Sequence, residues 1–243
     1  MASDIVLTVI GESGGAPLPG GGTSCYLVEA EGYRVLLDIG SASLSLLSGI
    51  IPFDSIDDVI ISHFHSDHAS DAGVAVYSRL ISMQLGRNVK PLVFHALEDR
   101  NLSYPPYSRV ELIKSGKEEQ IGPFTVGYMH TDHPVPCLAV KLLFNGKSIV
   151  YTADGSLTDE LIAFSSSADI LLSECSFYPD LVQESAGHMS ARDVVSLAAA
   201  AEPGKLIITH LPVYGDREEI LKYIRNGWKG ESILASKFLR VEI

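Results

Sequence analysis

Short apolar runs separated by turn residues dominate the pattern of this chain, and they predict a protein rich in strands. The runs contain many β-branched and aromatic residues, which favour a pleated, buried backbone. The predicted strands are Ile5–Ile10, Ser24–Ala30, Tyr33–Asp38, Asp58–Ser62, Leu92–Phe94, Val110–Lys114, Phe124–His130, Ala139–Phe144, Ser148–Tyr151, Ile170–Ser173, Leu206–Thr209 and Phe238–Glu242. Helices are predicted from about Asp67 to Leu80, over Ala191–Ala201 with Ser190 as the N-cap, and near Arg217–Asn226.

One pattern occurs twice. The run Val-Ile-Ile-Ser-His ending at His63 is answered by Leu-Ile-Ile-Thr-His ending at His210. Each is an apolar strand that ends in a hydroxyl residue followed by histidine. The repetition predicts two similar halves, each bringing one histidine from the end of a strand to a shared cleft.

The segment that follows the first of these strands carries the densest chemistry of the chain. Three imidazoles and a carboxylate, His63, His65, Asp67 and His68, lie within six positions. Neutral imidazole and carboxylate suit Zn(II), with Mn(II) or Fe(II) as alternatives. His63 and His65 point the same way in an extended chain and can bind one ion. Asp67 and His68 follow the turn and can reach a second ion.

Two ions need further ligands from elsewhere in the chain. His133 precedes a strand in a loop stiffened by prolines, and His130 is an alternative to it. Asp132 is a candidate acceptor for the second N–H of a ligand histidine. Asp154 follows the strand Ser148–Tyr151 and is the candidate bridging carboxylate, while the repeated pattern adds His210 as a ligand.

Composition limits the classes of function. The chain has 243 residues, 46% of them hydrophobic, and a formal net charge of −12 with scattered basic residues. Proteins that bind a nucleic-acid backbone usually carry a clustered basic face, so this balance argues against a long nucleic acid as partner. Two bound metal ions would still favour a small anionic substrate. No run is long enough to span a membrane.

Three cysteines, Cys25, Cys137 and Cys175, form no Cys-x-x-Cys pair, which argues against a disulfide framework. The first four residues lack the basic start of a signal peptide. We therefore expect a cytoplasmic protein.

The motif Ser-His-x-His-x-Asp-His after an apolar strand resembles the signature of the metallo-β-lactamase fold superfamily. Further segments resemble the opening strands of that family and the later motifs of its ribonuclease Z-like branch, in the same order along the chain: Thr23–Val28, Val35–Gly40, His133–Cys137, Tyr151–Asp154, Gly187–Ala191 and Thr209–His210.

The resemblance implies an α/β fold, a four-layer αββα sandwich, as a single domain over residues 1–243 made of two similar βα halves. It implies two zinc ions, one bound by His63, His65 and His133, the other by Asp67, His68 and His210, with Asp154 bridging them. A metal-bridging hydroxide would then attack a phosphodiester.

The resemblance also implies roles in catalysis. Asp67 belongs to the catalytic set, His188 would face the scissile phosphate, and Glu174 would orient His188 as a general acid or transition-state donor. Members that process tRNA insert a long arm between the third histidine motif and the bridging aspartate. The short interval from His133 to Asp154 has no room for one.

We therefore expect a binuclear zinc hydrolase, specifically a phosphodiesterase for small or cyclic phosphodiesters. The alternatives are an arm-less ribonuclease Z-like RNA endonuclease and a thioester or lactone hydrolase. A homodimer is expected from relatives. The Pro-rich segment Tyr104–Tyr107 is interpreted as an ordinary loop, with an overhang of the cleft and part of a dimer contact as the alternatives.

Overall fold

The structure, a computed structural model, describes residues 5–87, 90–114, 116–180 and 187–243. The first four residues, used above to argue against a signal peptide, lie outside the described part. The chain divides into two compact units: unit 1 runs to Lys114 and resumes at Ser236–Glu242, and unit 2 is the chain between them, through Ala235.

Unit 1 is built on a mixed sheet of seven strands in the order β14-β1-β2-β3-β4-β5-β6. The strands β14, β1, β2 and β3 pair antiparallel, and β3, β4, β5 and β6 pair parallel. Their bounds are β1 Val6–Gly11, β2 Cys25–Ala30, β3 Tyr33–Leu37, β4 Asp58–Ile60, β5 Leu92–Ala96, β6 Ser108–Leu112 and β14 Arg240–Glu242.

Unit 2 repeats this plan. Its seven strands lie in the order β13-β12-β11-β10-β9-β8-β7, antiparallel from β7 to β10 and parallel from β10 to β13. The bounds are β7 Glu119–Ile121, β8 Phe124–His130, β9 Leu138–Phe144, β10 Lys147–Tyr151, β11 Ile170–Glu174, β12 Lys205–Thr209 and β13 Glu231–Leu234.

The shared strand order shows how the repeated sequence pattern fits the fold. Counted from the antiparallel edge, β4 and β11 both hold the fifth place, and β5 and β12 both hold the sixth. The pattern that ends at His63 follows β4, whereas the one that ends at His210 follows β12. The two histidines therefore leave non-equivalent strands, although the sheets themselves have the same topology.

Helices flank each sheet. Unit 1 has α1 Ser43–Leu47, α2 Ser66–Ala69 and α3 Ala72–Gln84, with a 3₁₀ turn at Phe53–Ser55; unit 2 has α4 Asp159–Ser165, α5 Ala191–Ala201 and α6 Arg217–Gly227. The predicted cap of α5 is confirmed: the Ser190 side chain accepts a hydrogen bond from the Asp193 amide in a capping box. Within the described residues, none of the helices has the length and apolar composition of a membrane span.

The helix expected from Asp67 to Leu80 is in fact two. The Asp71 amide donates to the Ile39 carbonyl at 3.1 Å instead of to a carbonyl one turn back, and its side chain accepts from the Leu44 amide at 2.9 Å. The break leaves Asp67 and His68 in the four-residue helix α2, apart from α3.

Several short elements were missed or misplaced. The strands β7 and β13 lie at sheet edges and have polar residues among their few positions, and the predicted strand Val110–Lys114 begins earlier, as β6. Each unit nevertheless has a continuous apolar core, which in unit 1 includes Val59, Ile61 and Phe94 and in unit 2 includes Leu171, Leu206 and Ile208.

Candidate functional site

The segment after β4 brings imidazoles together within unit 1. Nε2 of His63 lies 3.1 Å from Nδ1 of His65, and the rings of His63 and His68 have centroids 4.2 Å apart. Two nitrogens bound to one tetrahedral zinc, each at about 2.0–2.1 Å, lie roughly 3.3 Å apart. The spacing of His63 and His65 therefore fits two ligands of one ion.

Asp38, which follows β3, holds this segment in place. It is fully buried, and its Oδ2 lies 2.7 Å from Nδ1 of His68. Its two oxygens also accept hydrogen bonds from the backbone amide and the hydroxyl of Ser62, at 2.7 and 2.8 Å. Because the carboxylate is an acceptor, the His68 ring must carry its proton on Nδ1.

Close backbone packing at Gly40 supports the same turn. The Ile39 amide donates to the His68 carbonyl at 2.8 Å, and a Cβ on Gly40 would lie only 2.1 Å from the Asp67 carbonyl oxygen. The position after Ile39 therefore requires glycine for steric reasons.

The glycine-rich segment between β1 and β2 reaches the side chain of Asp67. The Gly15 amide donates to Oδ2 of Asp67 at 2.7 Å, and the same oxygen lies 3.6 Å from Nε2 of His68. The Gly15 amide therefore orients the carboxylate of a predicted ligand.

Unit 2 gathers a second set of candidate ligands around Asp154. This buried residue follows β10, and candidate ligand atoms of Asp154, His188 and His210 all lie within 4.8 Å of one another. Nε2 of His210 lies 3.4 Å from one oxygen of Asp154, and Nδ1 of His188 lies 3.9 Å from the other. The rings of His188 and His210 are stacked, with centroids 5.5 Å apart.

Glu174, at the end of β11, is fully buried and contacts His188. Its Oε1 lies 3.1 Å from Nδ1 of His188 and accepts the Gly155 amide at 2.9 Å. Its Oε2 accepts the hydroxyl of Ser176 at 2.6 Å. The carboxylate therefore places the proton of His188 on Nδ1 and directs its Nε2 away from Glu174.

His133 lies beside His188, with ring centroids 5.1 Å apart. Its Nδ1 donates to the carbonyl of Gly187 at 2.9 Å. A Cβ on Gly187, whose φ is +68°, would clash with Pro134. The alternative ligand His130 is exposed at the end of β8, and Asp132 is exposed too, so the acceptor for the second N–H of His133 is a glycine carbonyl and not Asp132.

The neighbouring Cys175 belongs to the core of unit 2. Burial, together with the negative charges of Glu174 and Asp193, raises the pKa of this thiol. Its place in the apolar core is that of a packing residue.

The donors within each unit suit a metal ion. In four of the predicted ligand imidazoles, as in His188, the Nδ1 atom is turned toward a protein acceptor, so Nε2 is the nitrogen that would face an ion or a substrate. The pairs are His63 with Ser62, His68 with Asp38, His133 with Gly187, and His210 with Ser176.

Sequence reasoning missed the supporting residues Ser62, Ser176, Gly15 and Gly187, and it assigned no contact to Asp38. The residue types alone gave no signal, because serine and glycine are common beside strands and turns. Asp38, Ser62 and Gly187 do lie in segments that resemble those of a known family, but the resemblance assigned none of them a contact.

Comparison with known proteins matches this arrangement to a family. A model described as a β-lactamase superfamily domain matches residues 34–211. The probable metallo-hydrolase YhfI of Bacillus subtilis (strain 168) is 36% identical over 234 residues, covering 94% of this chain and 96% of that protein. The crystal structure of YhfI, described as a metallo-β-lactamase fold protein, superposes with a TM-score of 0.95 at 35% identity over 98% of this chain and 99% of that one.

More distant relatives extend the match. Ribonuclease Z of Archaeoglobus fulgidus is 22% identical over 308 residues, covering 98% of this chain and 97% of the enzyme. A diphosphatase from the PhnP family has the same fold, with a TM-score of 0.78 at 17% identity and 98% coverage of both chains. The predicted fold class and the predicted family are both confirmed.

Proposed function

We propose the function of this chain on the basis of its family. The chain belongs to the β-lactamase superfamily, in the ribonuclease Z-like branch, and is a metallo-hydrolase. The finer proposal is a binuclear zinc phosphodiesterase that acts on small or cyclic phosphodiesters. One observation carries it: four of the proposed ligand imidazoles, two in each unit, have Nδ1 held by a protein acceptor, as histidines that bind metal through Nε2 do.

The proposed ligands are those expected from the motifs. One ion would be held by His63, His65 and His133 and the other by Asp67, His68 and His210, and the carboxylate of Asp154 would serve both. Imidazole with carboxylate favours Zn(II), and the same set accepts Mn(II) or Fe(II). The spacings of His63 to His65 in unit 1 and of His210 to Asp154 in unit 2 support the assignment.

Two bound zinc ions would supply a water-derived nucleophile at neutral pH and would offset charge on the phosphoryl oxygens. Side chains of the protein supply the remaining roles in catalysis. Asp67 is held by the Gly15 amide, and we assign it to the catalytic set as a ligand. His188, its Nδ1–H directed to Glu174, presents Nε2 to the substrate as a general acid or transition-state donor. Glu174 keeps that ring in the required tautomer.

The proposed substrate class follows from shape and charge. The interval from His133 to Asp154 contains β9, a turn at Asn145 and Gly146, both at positive φ, and β10. It therefore has no tRNA-binding arm, and the net charge of −12 disfavours a long polyanion. The similarity to a PhnP-family diphosphatase favours a small phosphate-containing substrate.

A second candidate, an arm-less RNA endonuclease, is favoured by the similarity to ribonuclease Z. The two are separated by assaying zinc-loaded protein against bis(p-nitrophenyl) phosphate, a cyclic nucleotide, a short RNA, a thioester and a lactone. Metal-free protein is the control. We expect metal-dependent turnover of the two small diesters. Turnover of RNA alone would establish the second candidate, and turnover of the thioester or lactone alone would contradict both.

We also propose a cytoplasmic homodimer. All three cysteines are free and buried, which agrees with a reducing compartment. Four apolar side chains on one face of α3 and just beyond its end are 53–69% exposed: Val74, Tyr77, Ile81 and Leu85. Their spacing makes a continuous stripe, and we propose that a second copy of the chain covers it. Stable interfaces bury about 800 Å² per partner, so surface beyond these four side chains would have to contribute.

A further inference from the structure

A chain of three polar residues in unit 2 runs from a buried carboxylate to a predicted ligand. The Ser176 hydroxyl lies 2.6 Å from Oε2 of Glu174 and 2.8 Å from Nδ1 of His210. A hydroxyl has one proton to donate and lone pairs to accept with. Because a carboxylate only accepts, the proton goes to Glu174, and the hydroxyl oxygen accepts from His210. The His210 ring must then carry its proton on Nδ1.

The same chain exists in unit 1. The Ser62 hydroxyl donates to Oδ2 of Asp38 at 2.8 Å, and its oxygen lies 3.0 Å from Nδ1 of His63. The carboxylate of Asp38 also accepts a hydrogen bond directly from Nδ1 of His68. Each unit thus has a buried carboxylate that holds one histidine directly and a second through a serine, and in unit 2 the directly held histidine is His188.

We propose that Ser176 is a positioning residue, which fixes the Nδ1–H tautomer and the ring orientation of His210. Through its hydrogen bond to Glu174, Ser176 also couples His210 to the negative charge of that carboxylate. Ser62 has the same role between Asp38 and His63. The effect on metal binding rests on the proposed function. The Nδ1–H tautomer of His210 does not, because it follows from the hydrogen bonds of Ser176 alone. Protein partners one step beyond the ligands typically change metal affinity by about 10–100-fold.

The Ser176 hydroxyl is a hydrogen-bond partner of Nδ1 of His210. The His188 ring, which also lies 3.2 Å from this hydroxyl through Nδ1, has Glu174 as a direct acceptor at 3.1 Å. Removing the hydroxyl therefore deprives His210 of this acceptor and leaves His188 with its carboxylate. The two histidines should respond differently to one substitution.

The test compares Ser176→Ala with Ser176→Thr and with a matched control, Ser173→Ala. Ser173 is a nearby serine that is fully buried, and its hydroxyl donates to the backbone carbonyl of Glu174 and not to a carboxylate. Long-range ¹H–¹⁵N correlations of the metal-free proteins report the tautomer of each histidine. Zinc affinity is measured by competition with a chelator, and circular dichroism checks folding.

We expect His210 to be the Nδ1–H tautomer in the wild type, in Ser176→Thr and in Ser173→Ala. In Ser176→Ala the His210 ring should shift toward the Nε2–H tautomer, because Asp154 lies 3.4 Å from Nε2 and can accept that proton. His188 should keep its own tautomer, and the affinity for one zinc ion should fall about 10–100-fold. Ser176→Thr should restore the affinity because it keeps the hydroxyl.

An Nε2–H tautomer of His210 in the wild type would overturn the proposal even if Ser176→Ala does not fold. So would a folded Ser176→Ala variant with an unchanged His210 tautomer. If the wild type shows the expected tautomers but binds no zinc, the proposed metal function fails and the positioning role of Ser176 stands.

Discussion

The carboxylate of Asp38 lies 2.7 Å from Nδ1 of His68, and both side chains are fully buried. The contact fixes the ring of a proposed ligand from a residue thirty positions earlier in the chain. Replacement of Asp38 by Ala leaves the N–H of His68 and two donors of Ser62 without this acceptor. Each lost partner of a buried donor costs about 1–3 kcal/mol.

We therefore predict that Asp38→Ala lowers the free energy of unfolding of the metal-free protein by at least about 2 kcal/mol, and weakens zinc binding about 10–100-fold. Urea denaturation and chelator competition measure the two effects. Asp99→Ala is the control, since Asp99 accepts hydrogen bonds from the neighbouring Leu102 and Ser103 in an exposed turn. Equal losses in both variants would argue against a role of Asp38 at the site.

A methyl group at residue 40 should disturb the same turn. Because its Cβ would overlap the Asp67 carbonyl oxygen, Gly40→Ala must displace either the loop or α2. We predict loss of most zinc affinity at the ion held by Asp67 and His68. Gly73→Ala is the matched control: a Cβ there meets nothing within 4 Å, and alanine favours the helix by about 1 kcal/mol. A zinc titration of both variants by calorimetry decides, and wild-type affinity in Gly40→Ala would contradict the steric argument.

His188 is proposed to act on the substrate and not on the metal. His188→Ala should lower kcat by roughly 10²–10⁴-fold, the range for a positioned acid or base, with two zinc ions retained. Its proximity to Asp154 and His210 permits the opposite assignment, so metal content is measured on the same sample as turnover. Loss of one zinc equivalent would make His188 a ligand.

The apolar stripe on α3 is expected to hold the dimer together. Ile81→Glu should convert a dimer into a monomer, as determined by light scattering coupled to size-exclusion chromatography, because a carboxylate in the interface would lose its hydration. Tyr214→Lys is the control, since Tyr214 is the most exposed large hydrophobic residue described and lies outside the stripe. A wild-type monomer, or an unaffected dimer in Ile81→Glu, would place the interface elsewhere or remove it.

Much of the fold could be predicted because the central strands of each sheet are buried and therefore form apolar runs that are easy to recognise in the sequence. The runs at Val59–Ile61 and Leu206–Ile208 are buried in the cores of their units, and period and composition identify such strands. The edge strands β7 and β13 bury only part of their surface, so their sequences carry little of that signal. The break between α2 and α3 depends on a hydrogen bond from Asp71 to Ile39, a contact that local sequence does not encode.

The candidate site was predictable where its residues are adjacent in sequence, as in the motif from His63 to His68. Its supports were not, because Asp38 and Ser176 act through hydrogen bonds that exist only after folding. The repeated Ile-Ile-Ser-His and Ile-Ile-Thr-His pattern predicted two similar halves, but the strands that carry it, β4 and β12, hold different places in their sheets. An apolar run followed by histidine identifies a strand and does not specify the position of that strand in the sheet.

The most direct test of the central claim is zinc content and turnover of bis(p-nitrophenyl) phosphate, measured on the same samples of wild type, Asp67→Ala and His68→Ala. We predict about two equivalents of zinc and clear hydrolysis in the wild type, consistent with two-metal chemistry. Each variant should retain about one equivalent and lose turnover, because only one of the two proposed ions keeps its ligands. One equivalent or none in the wild type, or full turnover in either variant, would contradict the binuclear mechanism.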